Sequence, residues 1–139
     1  MALRARDNPF AVQRVATLGH RLQGAGWDEL LARFAALGWR GALVGPEGHG
    51  KSTLMAALAA RLAEQGWRSR AMRLRRGERR PAAAELGRFV AGAGPRDLLL
   101  VDGAQELSPL AWRSLVRAAR GAGAMLVTSH RPGRLPTLH

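Results

Sequence analysis

The chain contains no cysteine, which excludes a disulfide framework, a thiolate metal site and a cysteine nucleophile together and leaves the redox compartment open. Its 4 histidines are scattered and do not replace them. Long apolar runs are missing as well: the longest unbroken run of leucine and valine is Leu98 to Val101, and no apolar stretch approaches the roughly 20 residues of a membrane span. Arg4 and Arg6 are followed by Asp7, Asn8 and Pro9 rather than by an apolar segment, so no secretory leader is expected. The expectation is a soluble, cytoplasmic protein without a membrane partner. Lysine is nearly absent: Lys51 is the only one among 22 basic residues, which stand against 10 acidic ones for a net charge of +12. Such a charge favours a polyanionic partner. The almost exclusive use of arginine, beside abundant alanine and glycine, points to coding bias, so by itself it argues only weakly for nucleic acid.

What is present suffices for one packed domain: 139 residues, 47% hydrophobic. Residues 1–26 have a glycine-interrupted pattern and read as a lead-in segment, with the domain proper over 27–139. Asp28 can cap a helix from Glu29 to Leu37, ended by Gly38. Ala42 to Val44 is a short apolar run suited to a strand buried on both faces. Lys51 to Gln65 carries Leu54, Met55, Leu58 and Leu62 on one helical face, with Gly66 closing it. Trp67 to Leu74 reads as an edge-like strand. A helix from Pro81 to about Val90, a strand Leu98–Val101, a helix Pro109–Arg120 and a strand Met125–Thr128 follow, and beyond Arg131 the Pro, Gly and Arg content predicts loop. Alternating strands and helices predict an α/β fold, a three-layer sandwich with a mostly parallel sheet.

Between the first strand and its following helix stands Gly45-Pro46-Glu47-Gly48-His49-Gly50-Lys51-Ser52, a full match to G-x-x-x-x-G-K-[ST] in the right context. Glycines let successive backbone N–H groups point into one concavity, and the helix N-terminus adds the positive end of its dipole. Such a loop holds a polyphosphate. Lys51 then reaches the outer phosphates, the Ser52 hydroxyl takes one position on a bridging magnesium ion, and Thr53 lies near the innermost phosphate. These residues resemble those of a P-loop NTPase, and the resemblance, covering about Gly41 to Thr128, implies ATP or GTP with Mg²⁺. Leu98-Leu99-Leu100-Val101-Asp102 resembles the second family element, with Asp102 as the Walker B aspartate on magnesium.

Room for a helix, a strand and a second helix separates Lys51 from Asp102, an order similar to the AAA-type, RecA-type and ABC-type branch, in which one further strand lies between the two. Leu126-Val127-Thr128-Ser129-His130 resembles that strand and its polar tip, with Thr128 or Ser129 at the γ-phosphate or the attacking water. Asp102-Gly103-Ala104-Gln105-Glu106-Leu107-Ser108 resembles the D-E-A-Q-x-L-S run of AAA-type ATPases, but Gly103 occupies the place of the catalytic glutamate. Glycine cannot orient water. Glu106, with Gln105 beside it, is the nearest replacement, and Glu47 is a third candidate. The family often borrows an arginine from a neighbouring subunit. Arg131 and Arg134 lie near the sensor strand, though in so arginine-rich a chain that position carries little weight. The resemblance further implies a strand beyond the P-loop strand and a helical lid. With only Leu135 to Leu138 left to form the strand, either the lid is missing or another chain, a second copy or a protein partner, completes the sheet edge.

The basic stretch from Arg68 to Arg80 lacks interleaved rings. It reads either as a phosphate-backbone footprint or, preferably, as a solvated edge strand and loop. Trp27, Trp39, Trp67 and Trp112 read as core anchors, with Trp39 also a candidate to flank a nucleotide base. The function expected from the resemblance is an ATPase coupling nucleotide state to a partner. Alternatives are a small-molecule or nucleotide kinase, and a non-hydrolysing ATP-dependent switch associated with DNA.

Overall fold

The computed structural model describes residues 25–46 and 50–139. Residues 1–24 of the lead-in read over 1–26, and Glu47, Gly48 and His49 of the glycine-rich loop, lie outside the described residues, while Ala25 and Gly26 open the first helix. The chain is an α/β structure whose four-stranded sheet is parallel throughout. In order along the chain come α1 (Ala25–Ala36), β1 (Arg40–Val44), α2 (Lys51–Glu64), β2 (Arg68–Arg73), α3 (Ala83–Val90), β3 (Asp97–Asp102), α4 (Pro109–Ala118) and β4 (Ala124–Ser129). The spatial order is β1-β4-β3-β2. One strand therefore separates β1 from β3, as expected, and β2 is an edge.

The uninterrupted apolar runs of β1, β3 and β4 follow from burial on both faces. Leu43, Leu98, Leu100 and Leu126 join one core cluster with Trp27, Leu30 and Phe34 of α1 and Leu54, Leu58 and Leu62 of α2. Their strand neighbours Ala42, Val44, Leu99, Val101 and Val127 join a second cluster with Leu86 and Val90 of α3 and Trp112 and Leu115 of α4. Successive strand residues point to opposite faces, and each face carries a pair of helices.

Two helices begin elsewhere than the pattern predicts. Helix α1 starts at Ala25, so Asp28 lies in its first turn rather than at its cap. Trp27 extends the apolar stripe of Leu30 and Phe34 by one turn, and the Arg61 guanidinium sits 4.7 Å over its ring. Helix α3 starts at Ala83, two residues past Pro81. The Glu85 carboxylate accepts the N–H of Ala82 at 3.1 Å and fixes the start there. Trp39 is a core anchor like Trp27, Trp67 and Trp112, with its ring 5.3 Å from Phe34 and 5.0 Å from Trp67. Its left-handed backbone, φ 62, is uncommon for a bulky residue. Trp39 precedes β1, whereas the glycine-rich loop follows it, at the far end of five residues rising about 3.3 Å each. It therefore does not flank a base bound at that loop.

The free edge of β1 is covered by a segment predicted as loop. Ala42 donates its N–H to Pro136 O and accepts from Leu138 N–H, each at 2.8 Å, in a parallel bridge to Thr137. Leu138 is fully buried, and Arg33 Nε holds its carbonyl at 2.8 Å. Val44 N–H donates to His139 Nε2 at 3.1 Å. The chain's own residues thus take the place that, as one of the two alternatives, a second chain was expected to fill. Leu135 and Leu138 supply the apolar contacts, and the short stretch carries no period from which a strand can be read.

Most arginines of the basic stretch that have a partner serve the fold. Arg68 and Arg70 pair with Asp97, Arg70 also donates to Phe89 O and Ala91 O at the end of α3, and Arg79 pairs with Glu85 at 2.9 Å. Asp97 in turn accepts the N–H of Gly94 at 2.7 Å. That bond above all, with Arg68 and Arg70, holds its carboxyl below the usual carboxylate range. A depressed folded-state pKa contributes stability above the unfolded value of about 3.9, and the contribution is lost as pH falls through the folded value. Denaturant titrations should find Asp97→Asn less stable than the parent at pH 7, with the difference shrinking below about pH 4. A pH-independent difference would assign the loss to packing instead.

Candidate functional site

All four strands run the same way, so the C-terminal ends of β1, β4, β3 and β2 open on one edge of the sheet, where open parallel sheets form their ligand crevice. A cavity of about 680 Å³ lies there. It is lined by Gly50, Lys51, Ser52 and Thr53 at the start of α2, by Asp102, Gly103 and Thr128 at the ends of β3 and β4, by Arg73 to Arg76 at the end of β2 and the turn beyond it, and by Gln105, Glu106 and His130.

Gly50 adopts φ 86 and ψ 7 immediately before α2, and no side chain caps the helix. The N–H of Leu54 is the one that closes the first turn, to Gly50 O at 2.9 Å. The amides of Ser52 and Thr53 precede it and have no intrahelical acceptor. Gly45, at the other end of the loop, spends its N–H on Ser129 O at 3.0 Å. Lys51 is a buried cation whose ammonium donates to Pro46 O at 2.6 Å, which folds the side chain back along the loop. Ser52 is half-buried and Thr53 exposed.

Asp102 is the hub. Its Oδ2 accepts the Ser52 hydroxyl at 2.7 Å and lies 3.5 Å from Arg73 Nε, while its Oδ1 accepts the Thr128 hydroxyl at 2.6 Å. Thr128 Oγ1 also accepts the N–H of Gly103 at 2.9 Å. With its proton committed to Asp102, Thr128 orients that carboxylate; Ser129 Oγ accepts from Arg131 N–H. The sequence-predicted residues Gly50, Lys51, Ser52, Thr53, Asp102, Gln105, Glu106 and Thr128 therefore share one cavity.

A hydroxyl and a carboxylate 2.7 Å apart are hard oxygen donors. Among the described residues no group of three or more His, Asp or Glu side chains forms a closed cage. Such a donor pair suits an ion that takes most ligands from water and phosphate, as Mg²⁺ does, better than Ca²⁺ or Zn²⁺. The Arg73 guanidinium beside Asp102 Oδ2 is the cation such an ion would compete with.

Gly103 is fixed by geometry. It has φ 99, and a Cβ there would stand 2.4 Å from Leu74 O. The strand ladder presses Leu74 against it, since Leu74 N–H donates to Asp102 O at 2.8 Å. No side chain of any kind fits. Gln105 and Glu106 come next in a short 3₁₀ turn, with Gln105 Nε2 3.5 Å from Glu106 Oε2. Gln105 Oε1 is buried without a hydrogen-bond partner among the described residues.

The two arginines noted just past β4, Arg131 and Arg134, do not line the cavity. Arg131 is exposed. Arg134 lies 5.3 Å over the Trp112 ring and donates to Leu107 O at 3.0 Å, and burial pulls its pKa down. Lined up instead are Arg73, Arg75 and Arg76. Sequence reasoning placed them on a solvated edge; the signal that locates them is that β2 ends beside the strand ending in Asp102.

No protein-family model and no curated protein sequence matches this chain.

Two substitutions probe the lining of the cavity. Thr128→Val removes the partner of both the Asp102 carboxylate and the Gly103 amide, and should cost about 1–3 kcal/mol by chemical denaturation; a neutral change would show that water replaces the hydroxyl. Gly103→Glu should destabilise by at least about 2 kcal/mol through backbone strain and overlap with Leu74. Parent-like stability would mean the end of β2 yields.

Proposed function

We propose that the protein is a P-loop nucleotide-binding domain that binds ATP with Mg²⁺ and hydrolyses it, coupling the nucleotide state to a partner. The observation that carries the reading is the 2.7 Å contact between Ser52 and Asp102, 50 residues apart in the chain. It joins the two motif halves beside the chain's only lysine and at the uncapped N-terminus of a helix.

In this reading the amides of Ser52 and Thr53 and the helix dipole hold phosphate oxygens. Lys51 releases Pro46 O to reach the outer phosphates as a point charge. Ser52 and Asp102 hold Mg²⁺, which when bound neutralises charge on those phosphates. Thr128 keeps the Asp102 carboxylate in its orientation. Gln105 and Glu106 orient the attacking water: Gln105 Oε1 has acceptor capacity to spare, and a carboxylate lies next to it.

A second reading, a binding switch with slow turnover, is favoured by Gly103. The place of the usual base is closed to any side chain, and positioning with charge stabilisation then operates without a base next to Asp102.

Calorimetry with ATP and GTP plus Mg²⁺ tests the binding step, and phosphate release tests the chemistry. Lys51→Ala should weaken nucleotide binding at least about tenfold, or about 1.4 kcal/mol, and Glu106→Gln should lower single-turnover hydrolysis about 10²-fold or more with binding kept. Binding with no turnover in the parent would select the switch. No heat from either nucleotide would remove the proposal.

A further inference from the structure

Two of the arginines lining the cavity make no contact that the fold uses. Arg75 and Arg76 line the cavity and are exposed. Neither has an ion-pair or hydrogen-bond partner among the described residues, unlike Arg68, Arg70, Arg73 and Arg79 of the same stretch. Their backbone is nonetheless pinned. Leu74, directly before them, is held by its N–H to Asp102 O and by the packing of its carbonyl against Gly103. Directly after them the chain turns, with Glu78 N–H donating to Arg75 O at 3.2 Å and Gly77 at φ 84. A positive φ at the third of four residues is what a type II turn requires. Two long cations are thus launched from a short, closed turn beside the carboxylate hub.

Charge decides what they face. The lining holds the cations Lys51, Arg73, Arg75 and Arg76 against the carboxylates Asp102 and Glu106. A nucleoside triphosphate carries about four negative charges and a magnesium ion returns about two, so the excess of cations matches the magnesium complex and leaves none for a second anionic substrate. Arg73 is already engaged at Asp102, which leaves Arg75 and Arg76 for the phosphate farthest from the α2 N-terminus. Guanidinium groups suit that task because they grip phosphate oxygens in a bidentate fork.

We infer that Arg75 and Arg76, on the turn after β2, bind the terminal phosphate of the nucleotide. The inference rests on the nucleotide-binding reading above. It assigns to these arginines the discrimination of ATP from ADP.

Calorimetry with Mg·ATP and Mg·ADP on the parent and on Arg75→Ala/Arg76→Ala tests it, with Arg75→Lys/Arg76→Lys as the conservative control. Both arginines are exposed and unpaired among the described residues, so the variants should keep the parent's circular dichroism and melting temperature. The expected result is at least a tenfold loss of ATP affinity in the alanine variant, ADP affinity within twofold of the parent, and partial recovery in the lysine variant. Unchanged affinity for both nucleotides, or an equal loss for both, would overturn the inference while leaving Lys51-dependent nucleotide binding intact. A parent that binds neither nucleotide would overturn both.

Discussion

One carboxylate holds the candidate site together. Asp102 stands at the end of β3 and receives the Ser52 hydroxyl from α2, the Thr128 hydroxyl from β4 and the Arg73 guanidinium from β2. A single side chain thereby fixes the relative position of four elements at the crevice. Its two oxygens are divided, Oδ1 to the sheet and Oδ2 to the helix and the arginine. Removing any partner leaves a part-buried charge under-satisfied, which costs more than the bond itself contributes. The backbone of the same residue explains why Gly103 is glycine. The ladder that seats Asp102 beside Arg73 drives Leu74 O onto the next residue of β3's exit.

The parallel sheet is what makes this convergence possible. Ser52 and Asp102, 50 positions apart, have no reason to meet in an extended chain, yet every strand delivers its C-terminal end to one edge. Burial on both faces sets that arrangement, through alternate strand residues that feed one helix pair or the other. Residues 136–138 close β1's outer edge, so that edge is shielded from pairing with another chain. The opposite edge is β2, where Arg68 and Arg70 answer Asp97 and the end of α3.

Much of this was legible in the sequence because it rests on local pattern. Apolar runs located β1, β3 and β4, the glycine-rich motif located the start of α2, and the weaker pattern of β2 marked an edge. The cavity residues from Gly50 to Thr53, with Asp102, Gln105 and Glu106, came from motif spacing. What was illegible depends on tertiary context. Trp27 lengthens α1 because Arg61 and the core reward it, Glu85 rather than Pro81 sets the start of α3, and Trp39 packs at the end of the sheet away from the loop it seemed to flank. The segment at Leu138 pairs with β1 without any strand period of its own. Arg75 and Arg76 looked like their neighbours in a basic run, and only the register of β2 on β3 separates the arginines that serve the fold from those that face the cavity.

The central claim is that a triphosphate and its magnesium lie across the start of α2 and the end of β3. Backbone amide NMR during titration with a non-hydrolysable ATP analogue and Mg²⁺ reads this residue by residue. The account predicts the largest shifts over residues 45–53 and 102–106, with Thr128 following and the amides around Trp39 and Trp67 unmoved. Shifts centred on the Trp39 end of the sheet, or none at saturating nucleotide, would contradict it.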